Sequence, residues 1–399
     1  MSRTILLACL SILLVASIIT RPDEAFQASL QGLTVWWNIV FPGLLPFLTL
    51  IELMIAFGAV HAFGALLQPI MSKLFRLPGE AGLVMALGWT GGSPCGAEAT
   101  ASLRKSGHIT EREGQRLLAL SHVPSPLFML LVVGSGFLHR PELGAAIAAA
   151  VWCSALITSL VQARLTRVEP TNQQSPETKT GATGSLLRQA AVAMIAARNR
   201  DGRTFGKALG DAVTFSVYKL MAVGGFMMFG SVLVRLIQPY MPEGLPAFLL
   251  PGLLESHIGT FAAASTAFTG GIPWNAAAIA AILGWGGTSA LLQAGSAIAG
   301  TGLSLSRLAV ARLLQGALAF ALTLFAWKPL SALLGRILPA AAPAIEQTEK
   351  TGAATAAIVR AGDLHTLWPY TPVLLLLFLF MMAALALASM MTSPAGRAR

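Results

Sequence analysis

Two glycine-rich interruptions in long apolar runs hold the residues of this chain best placed to do chemistry. The first is Leu87-Gly88-Trp89-Thr90-Gly91-Gly92-Ser93-Pro94-Cys95-Gly96, with Glu98 just beyond it. The second is Leu283-Gly284-Trp285-Gly286-Gly287-Thr288-Ser289, with Gln293 beyond. Glycine and proline at that density break a helix into two half-helices with unwound backbone between them. Half-helix ends carry unpaired N–H and C=O groups and partial charge. Two such ends meeting inside a bilayer form a polar cradle without burying a full charge. Paired interruptions in two halves of a chain are the sequence mark of a transporter's solute site.

Around these interruptions the expected solute contacts are Ser93, Glu98, Glu255, His257, Ser289 and Gln293, with His122 and Ser125 as gate residues beside Pro124 and Pro126. Each has a blander alternative. Ser93 and Ser289 either touch solute or cap half-helix ends. Glu98 is either a cavity acid for a cation or proton, or an interfacial partner of Arg104 or Lys105. Glu255 and His257 lie two apart, so on a helix they diverge. They face one cavity only if the backbone unwinds between Pro251-Gly252 and Gly259, and His257 alone reads equally as a satisfied core donor. Asn275 offers an amide. Glu52 is expected to pair with Lys219 or Arg235, and Trp89 and Trp285 to anchor packing.

Catalysis is not expected. The chain has no His-Glu-x-x-His, no Gly-x-Ser-x-Gly, no Cys/His arrangement and no Walker loop. Cys9, Cys95 and Cys153 have no metal-ligand spacing and imply no disulfide framework. No cofactor or metal is expected.

The elements that must hold these residues are membrane helices. The 399 residues are 55% hydrophobic and 11% charged, against roughly a quarter charged in soluble domains. Thr4–Thr20, Val123–Leu138, Gly144–Ala163, Ile258–Ser306, Leu313–Trp327 and Thr366–Gly396 contain no charged residue or histidine. A span needs roughly 20 apolar residues. The net charge of +10 gathers between Arg164 and Lys207, a cytoplasmic-loop signal that could touch anionic lipid; no nucleic-acid groove accompanies it. A retained first span over Thr4–Thr20 is followed by Arg21-Pro22-Asp23-Glu24, which reads as a loop. Val35–Gly58 reads as a second helix, and His61–Leu77 as a short amphipathic piece. Thr110–Ser121 reads as an amphipathic helix, and helical periodicity resumes near Leu186. Leu209–Ile237 and Gly244–Ala267 open the second half.

The expected fold is all-α: a polytopic membrane protein with two pseudo-symmetric, inverted repeats, each with a Gly/Pro-broken re-entrant or discontinuous helix. The repeat rests on Gly-Trp-x-Gly-x-Ser in both halves, Arg116-Leu117-Leu118 echoed by Arg312-Leu313-Leu314, and Gln68-Pro69 echoed by Gln238-Pro239. Inversion would put Arg307 and Arg312 on the outer face, against the charge rule.

At these residues the chain resembles a known family. Gly92-Ser93-Pro94-Cys95-Gly96-Ala97, Gly107-His108-Ile109-Thr110-Glu111-Arg112-Glu113 and Arg116-Leu117-Leu118 resemble the first conserved block of YlbJ-type sporulation integral membrane proteins, within the nucleoside-recognition or Gate group. Ser125-Pro126-Leu127-Phe128 with Val133-Gly134 and Gly136 resembles the next block. Leu254-Glu255 with Gly259 resembles a signature of the second half. Ser93, Glu98, Ser121-His122 and His257 depart from the residues usual there. The resemblance implies a multi-pass protein of the bacterial cell (inner) membrane, with a transport-like fold, in spore formers. Its organisation would be residues 1–34, first span and outer loop; 35–165, first Gate-like repeat; 166–207, basic cytoplasmic linker; 208–340, second Gate-like repeat; 341–367, polar linker; and 368–399, terminal span. The expected function is a small-solute transporter or permease, with a coupling ion and a homo-oligomeric state both open. The alternative is a non-transporting scaffold for spore envelope (cortex) assembly. Membrane lipid and an unknown small solute are the expected partners.

Overall fold

The computed structural model describes residues 2–165 and 185–337, with a few helical positions between 383 and 391. Among the described residues there are helices, turns and loops and no strand. Five stretches are long and apolar enough to cross a bilayer: Pro22–Ala56, Pro141–Leu165, Phe205–Tyr240, Ile272–Ala297 and Leu305–Lys328. Of the expected basic linker 166–207, residues 185–207 are described and are mostly helical. The expected polar linker lies outside the described residues, as does the expected terminal span apart from those few positions.

Helix α1 (Ser2–Thr20) leaves most of its leucines and isoleucines exposed, and anchors through Leu14 and Ile18 on Ala25, Ala28, Val232 and Leu236. The stretch expected as an outer loop is instead helix α2 (Pro22–Val35). Pro22 presets the first helical φ, and Asp23 and Glu24 face the positive end of the helix dipole. A π-helical turn over Trp36–Val40 carries α2 into α3 (Phe41–Ala56).

Helix α4 (Ala59–Lys73) packs on α5 (Ala81–Gly91). At Gly92 the backbone turns to φ +74, and α6 (Cys95–Lys105) packs back along α5. Helix α7 (Glu111–Ser121) begins with a Thr110/Glu113 capping box, the reciprocal pairing that satisfies two orphan donors at a helix start. From His122 to Ser125 the chain is non-helical; helix resumes at Pro126 and runs into a π-helical segment over Phe128–Phe137. Helix α8 (Pro141–Leu165) then brings Ala163 back to Arg76, whose Nη1 donates to its carbonyl at 3.2 Å.

In the second half, α9 (Leu186–Asp201) packs on α4, and Gly58 there lies against the Met194 backbone. Helix α10 (Phe205–Ile237) follows. The stretch 244–267, one apolar run in the sequence, holds two short helices, α11 (Leu249–Leu254) and α12 (Ser256–Ala264). They pack so closely that a Cβ on Gly259 would sit 2.2 Å from the Gly252 Cα. Helix α13 (Ile272–Trp285) and α14 (Gly287–Ala297) flank Gly286, at φ +86, within one 26-residue apolar stretch. Helix α15 (Leu305–Ile337) packs on α13 and α8.

The start of α15 lies beside the start of α7. Gln115 Nε2 donates to the Ser304 carbonyl at 3.0 Å and its Oε1 accepts from Ser304 N–H at 2.8 Å, while Arg307 approaches Glu111 at 3.5 Å. Arg307, expected opposite the Arg104–Arg116 stretch, therefore shares its face. The reason is geometric: α5 and α6 fold back on each other, whereas α13 and α14 together make a length that crosses.

Candidate solute site at the helix breaks

The first break is held by the chain that follows α7. Trp89 Nε1 donates to the Leu120 carbonyl at 2.9 Å, and the Trp89 ring stacks on Trp152 at 6.1 Å. Ser93 Oγ donates to the Val123 carbonyl at 3.3 Å. A Cβ on Gly92 would lie 2.7 Å from Ser125 Cβ, so only glycine lets the two backbones meet. Ser125 Oγ accepts the Phe128 N–H at 3.1 Å, capping the π-helical segment.

A second close approach of backbones lies in the second half. Glu255 joins α11 to α12 in an extended conformation, φ −145 and ψ 121, and its carboxylate caps α12 by accepting the Ile258 N–H at 2.7 Å. Because the backbone is extended there, Glu255 and His257 do meet: Oε1 and Nδ1 are 2.6 Å apart. A Cβ on Gly287 would come within 3.1 Å of Ser256 N, Glu255 Cα and the Leu254 carbonyl. Thr288 Oγ1 and Trp285 Nε1 donate to the Leu254 and Leu253 carbonyls at 3.0 and 3.1 Å.

The two halves touch through these parts. The His257 ring lies 4.4 Å from Phe128, Phe261 5.3 Å from Phe137, and α6 packs on α14. Of the expected site residues, Ser93, Ser125, Glu255 and His257 fall on this belt. His122 is 1% exposed beside it, and its Nδ1 has no hydrogen-bond partner among the described residues. Ser289 is buried and Gln293 half-buried on α14, and no described hydrogen bond joins Ser289 to Ser93. Asn275 is taken by packing, its Nδ2 donating to the Ala263 carbonyl at 2.8 Å. Glu98 lies on the exposed face of α6 and makes no ion pair among the described residues; Arg104 instead donates to the Ile109 carbonyl at 2.8 Å.

Two polar clusters flank the belt. Lys219 of α10 donates to Glu52 Oε1 at 2.7 Å and lies 3.3 Å from Cys95 Sγ, so Glu52 takes Lys219, while Arg235 pairs with Glu24 at 3.1 Å. Arg312, 1% exposed, donates to the Leu283 and Trp285 carbonyls and to Gln315, which in turn donates to the Ala119 carbonyl. Arg312 thus closes the negative end of α13. In the sequence it appeared only as an echo of Arg116. On the other side of α12, a cleft of about 610 Å³ opens between α2, α10 and the α11–α12 pair. Asp23, Glu24, Gln27, Gln31, Ser231 and Arg235 give it a polar wall, and Ser231 Oγ is buried without a partner.

Apolar crossing stretches with polar breaks buried between them define an integral membrane protein. The family described as nucleoside recognition (Gate) matches residues 38–162, the segment from the α2–α3 junction through α8. Across most of its length the chain is 35% identical over 346 residues to the sporulation integral membrane protein YlbJ of Bacillus subtilis, covering 82% of this chain and 84% of that one. It belongs to that YlbJ family. An uncharacterised protein of Alkalihalophilus pseudofirmus is 32% identical over 101 residues, 25% of this chain and 20% of its own. No solved structure matches the chain significantly.

Proposed function

We propose that this chain is a permease for a small polar solute, acting in the sporulating cell as the name of its Bacillus relative suggests. Its solute site lies on the belt where two re-entrant hairpins meet two broken spans. In this reading α5–α6 and α11–α12 are the hairpins, entering from opposite faces. The helix α7 with the segment 128–137, and α13 with α14, are the broken spans. The repeat is then inverted, with a pairing the Gly-Trp motif does not give: the Gly92 tip corresponds to the Glu255 tip, not to Gly286.

One observation carries the reading: each hairpin tip rests on the break of a span, and the second tip also touches the first half through His257 and Phe128. Non-helical backbone at membrane depth is tolerated where protein buries it or where it lines a cavity. Here it holds Ser93 and Ser125 at one break and Glu255 and His257 at the other, with the His257–Phe128 contact between them.

Purified protein in liposomes, screened for uptake of radiolabelled amino acids, nucleosides, sugars and organic acids, tests the proposal. Wild type is expected to take up at least one class. Glu255→Gln is expected to cut that uptake by two orders of magnitude while inserting normally. Failure of every solute class with correctly inserted protein, or full activity in Glu255→Gln, would overturn it.

A further inference from the structure

Helix α9 presents an apolar face that no described part of the chain covers. Its inner side, where Ala190 is buried, lies on α4. Leu187, Val192, Met194 and Ile195 point elsewhere and are between 39 and 60% exposed. On a helix these four positions fall within about half a turn of one another. A contiguous apolar patch of this kind marks a contact with a partner or a membrane.

The helix sits at the level where two crossing stretches end. Pro22–Ala56 stops one residue before Phe57, and Phe205–Tyr240 starts at Phe205. The rings of Phe57 and Phe205 stack at 6.0 Å, so the two ends share a level. Helix α9 is fastened to this junction at two points. The Met194 backbone lies against Gly58, and the Arg198 guanidinium stands 4.9 Å from the centre of the Phe57 ring. Gly202, at φ +64, ends α9, and Thr204 caps α10, so the chain turns a corner instead of running on into the span. Its 16 residues rise about 24 Å, short of a crossing. A helix so placed lies along the bilayer surface.

Its charges match one kind of surface. Arg188, Arg200 and Lys207 are exposed and enter no ion pair among the described residues. The neighbouring acids are engaged: Asp201 by Arg203 and Arg198, and Asp211 by Arg203. His61 of α4 has a buried Nδ1 with no partner among the described residues. Burial and the nearby Arg200 hold its imidazole below the ordinary histidine range. Positive charge thus collects along the α4–α9 edge with both aspartates already taken. Arginines beside an apolar face, in the interfacial plane, bind through buried apolar area together with attraction to anionic lipid.

We propose that α9 is a docking site for anionic phospholipid. Leu187, Val192, Met194 and Ile195 enter the acyl boundary, and Arg188, Arg200 and Lys207 hold headgroup phosphates. A nucleic acid or an acidic protein would answer the arginines and leave the four apolar side chains in water. The site does not depend on the chain moving a solute.

The wild-type chain in mixed vesicles of phosphatidylglycerol and phosphatidylcholine provides the test. One lipid at a time carries a photoreactive group near the top of its acyl chain. After illumination and tryptic digestion, adducts are expected on the peptide 189–198, several-fold more with the phosphatidylglycerol probe than with the phosphatidylcholine probe. An unlabelled peptide, the result that a surface for a water-soluble partner would give, would overturn the proposal. Equal labelling by the two probes would also overturn it. Native mass spectrometry of the full chain adds a second reading. Arg188→Gln combined with Arg200→Gln is expected to weaken phosphatidylglycerol retention about thirtyfold, roughly fivefold for each surface cation, and to leave phosphatidylcholine retention unchanged. Wild-type retention of phosphatidylglycerol by the folded double variant would contradict the site. The labelling of the wild-type chain decides the matter by itself should the variant misfold.

Discussion

Arg312 has no acid partner among the described residues, and its charge is met by dipoles: two carbonyls at the end of α13 and the Gln315 amide. Replacing it by leucine strands those acceptors in a dry interior. Unsatisfied buried groups cost about 1–3 kcal/mol each, so Arg312→Leu should destabilise the protein by roughly 3 kcal/mol or more. Arg312→Lys, which keeps the charge but loses the planar fork, should fall between. Unfolding in detergent measures both, and an unchanged midpoint for Arg312→Leu would contradict the assignment. At this scale the sequence was informative where the residue type was unusual for its surroundings, as with Glu255 and His257. That the two meet was conditional on an unwound backbone, and the extended Glu255 supplies it. Glu52 does take Lys219, one of its two expected partners, whereas Arg312 was less visible because its partners are carbonyls and an amide, which leave no local pattern.

Among the elements, the α11–α12 hairpin depends on bare backbone. A Cβ on Gly259 would lie 2.2 Å from Gly252 Cα and 2.6 Å from Gly252 N, atoms that cannot step aside without moving the helix. Gly259→Ala should therefore spread the hairpin and abolish uptake. Gly210→Ala on α10, with open space around it, should be neutral or stabilising by up to about 1 kcal/mol through helix propensity. Uptake and unfolding of the two variants side by side provide the check, and indifference at Gly259 would reject the hairpin packing. The helices with strong end signals were legible: Thr110 and Glu113 announce α7, and α10 is a plain apolar run. The hairpin was not, because α11 and α12 together read as one apolar crossing. Its fold-back is set by Gly252–Gly259 contact, which periodicity does not encode. The π-helical segments at 36–40 and 128–137 have no composition signal of their own.

Across the whole molecule, the Lys219–Glu52 pair ties the halves, since Glu52 is on α3 and Lys219 on α10. Both side chains are largely covered, 16% and 21% exposed. Removing either partner leaves an unpaired charge, so Lys219→Met and Glu52→Leu should each cost roughly 3 kcal/mol. The double variant Lys219→Met with Glu52→Leu should recover much of that loss, because apolar replacement of a buried pair is often neutral. A double-mutant cycle in detergent unfolding reads the coupling directly, and simple additivity would deny the tie. At this scale the membrane class was legible in the long uncharged apolar runs. Gly-Trp-x-Gly recurs in α5–α6, which folds back, and in α13–α14, which runs on.

The hairpins are short: the 11 residues of α5 rise about 16 Å, roughly half of a 30 Å hydrocarbon layer. The cleft beside α12, once filled with water, would remove much of the remaining insulation on that side. The transmembrane voltage then falls mainly across the thin shell around the two tips. Any charge that shifts a few ångströms there experiences most of the drop, about 2.3 kcal/mol per elementary charge for each 100 mV. A chain built this way would feel the membrane potential at its centre.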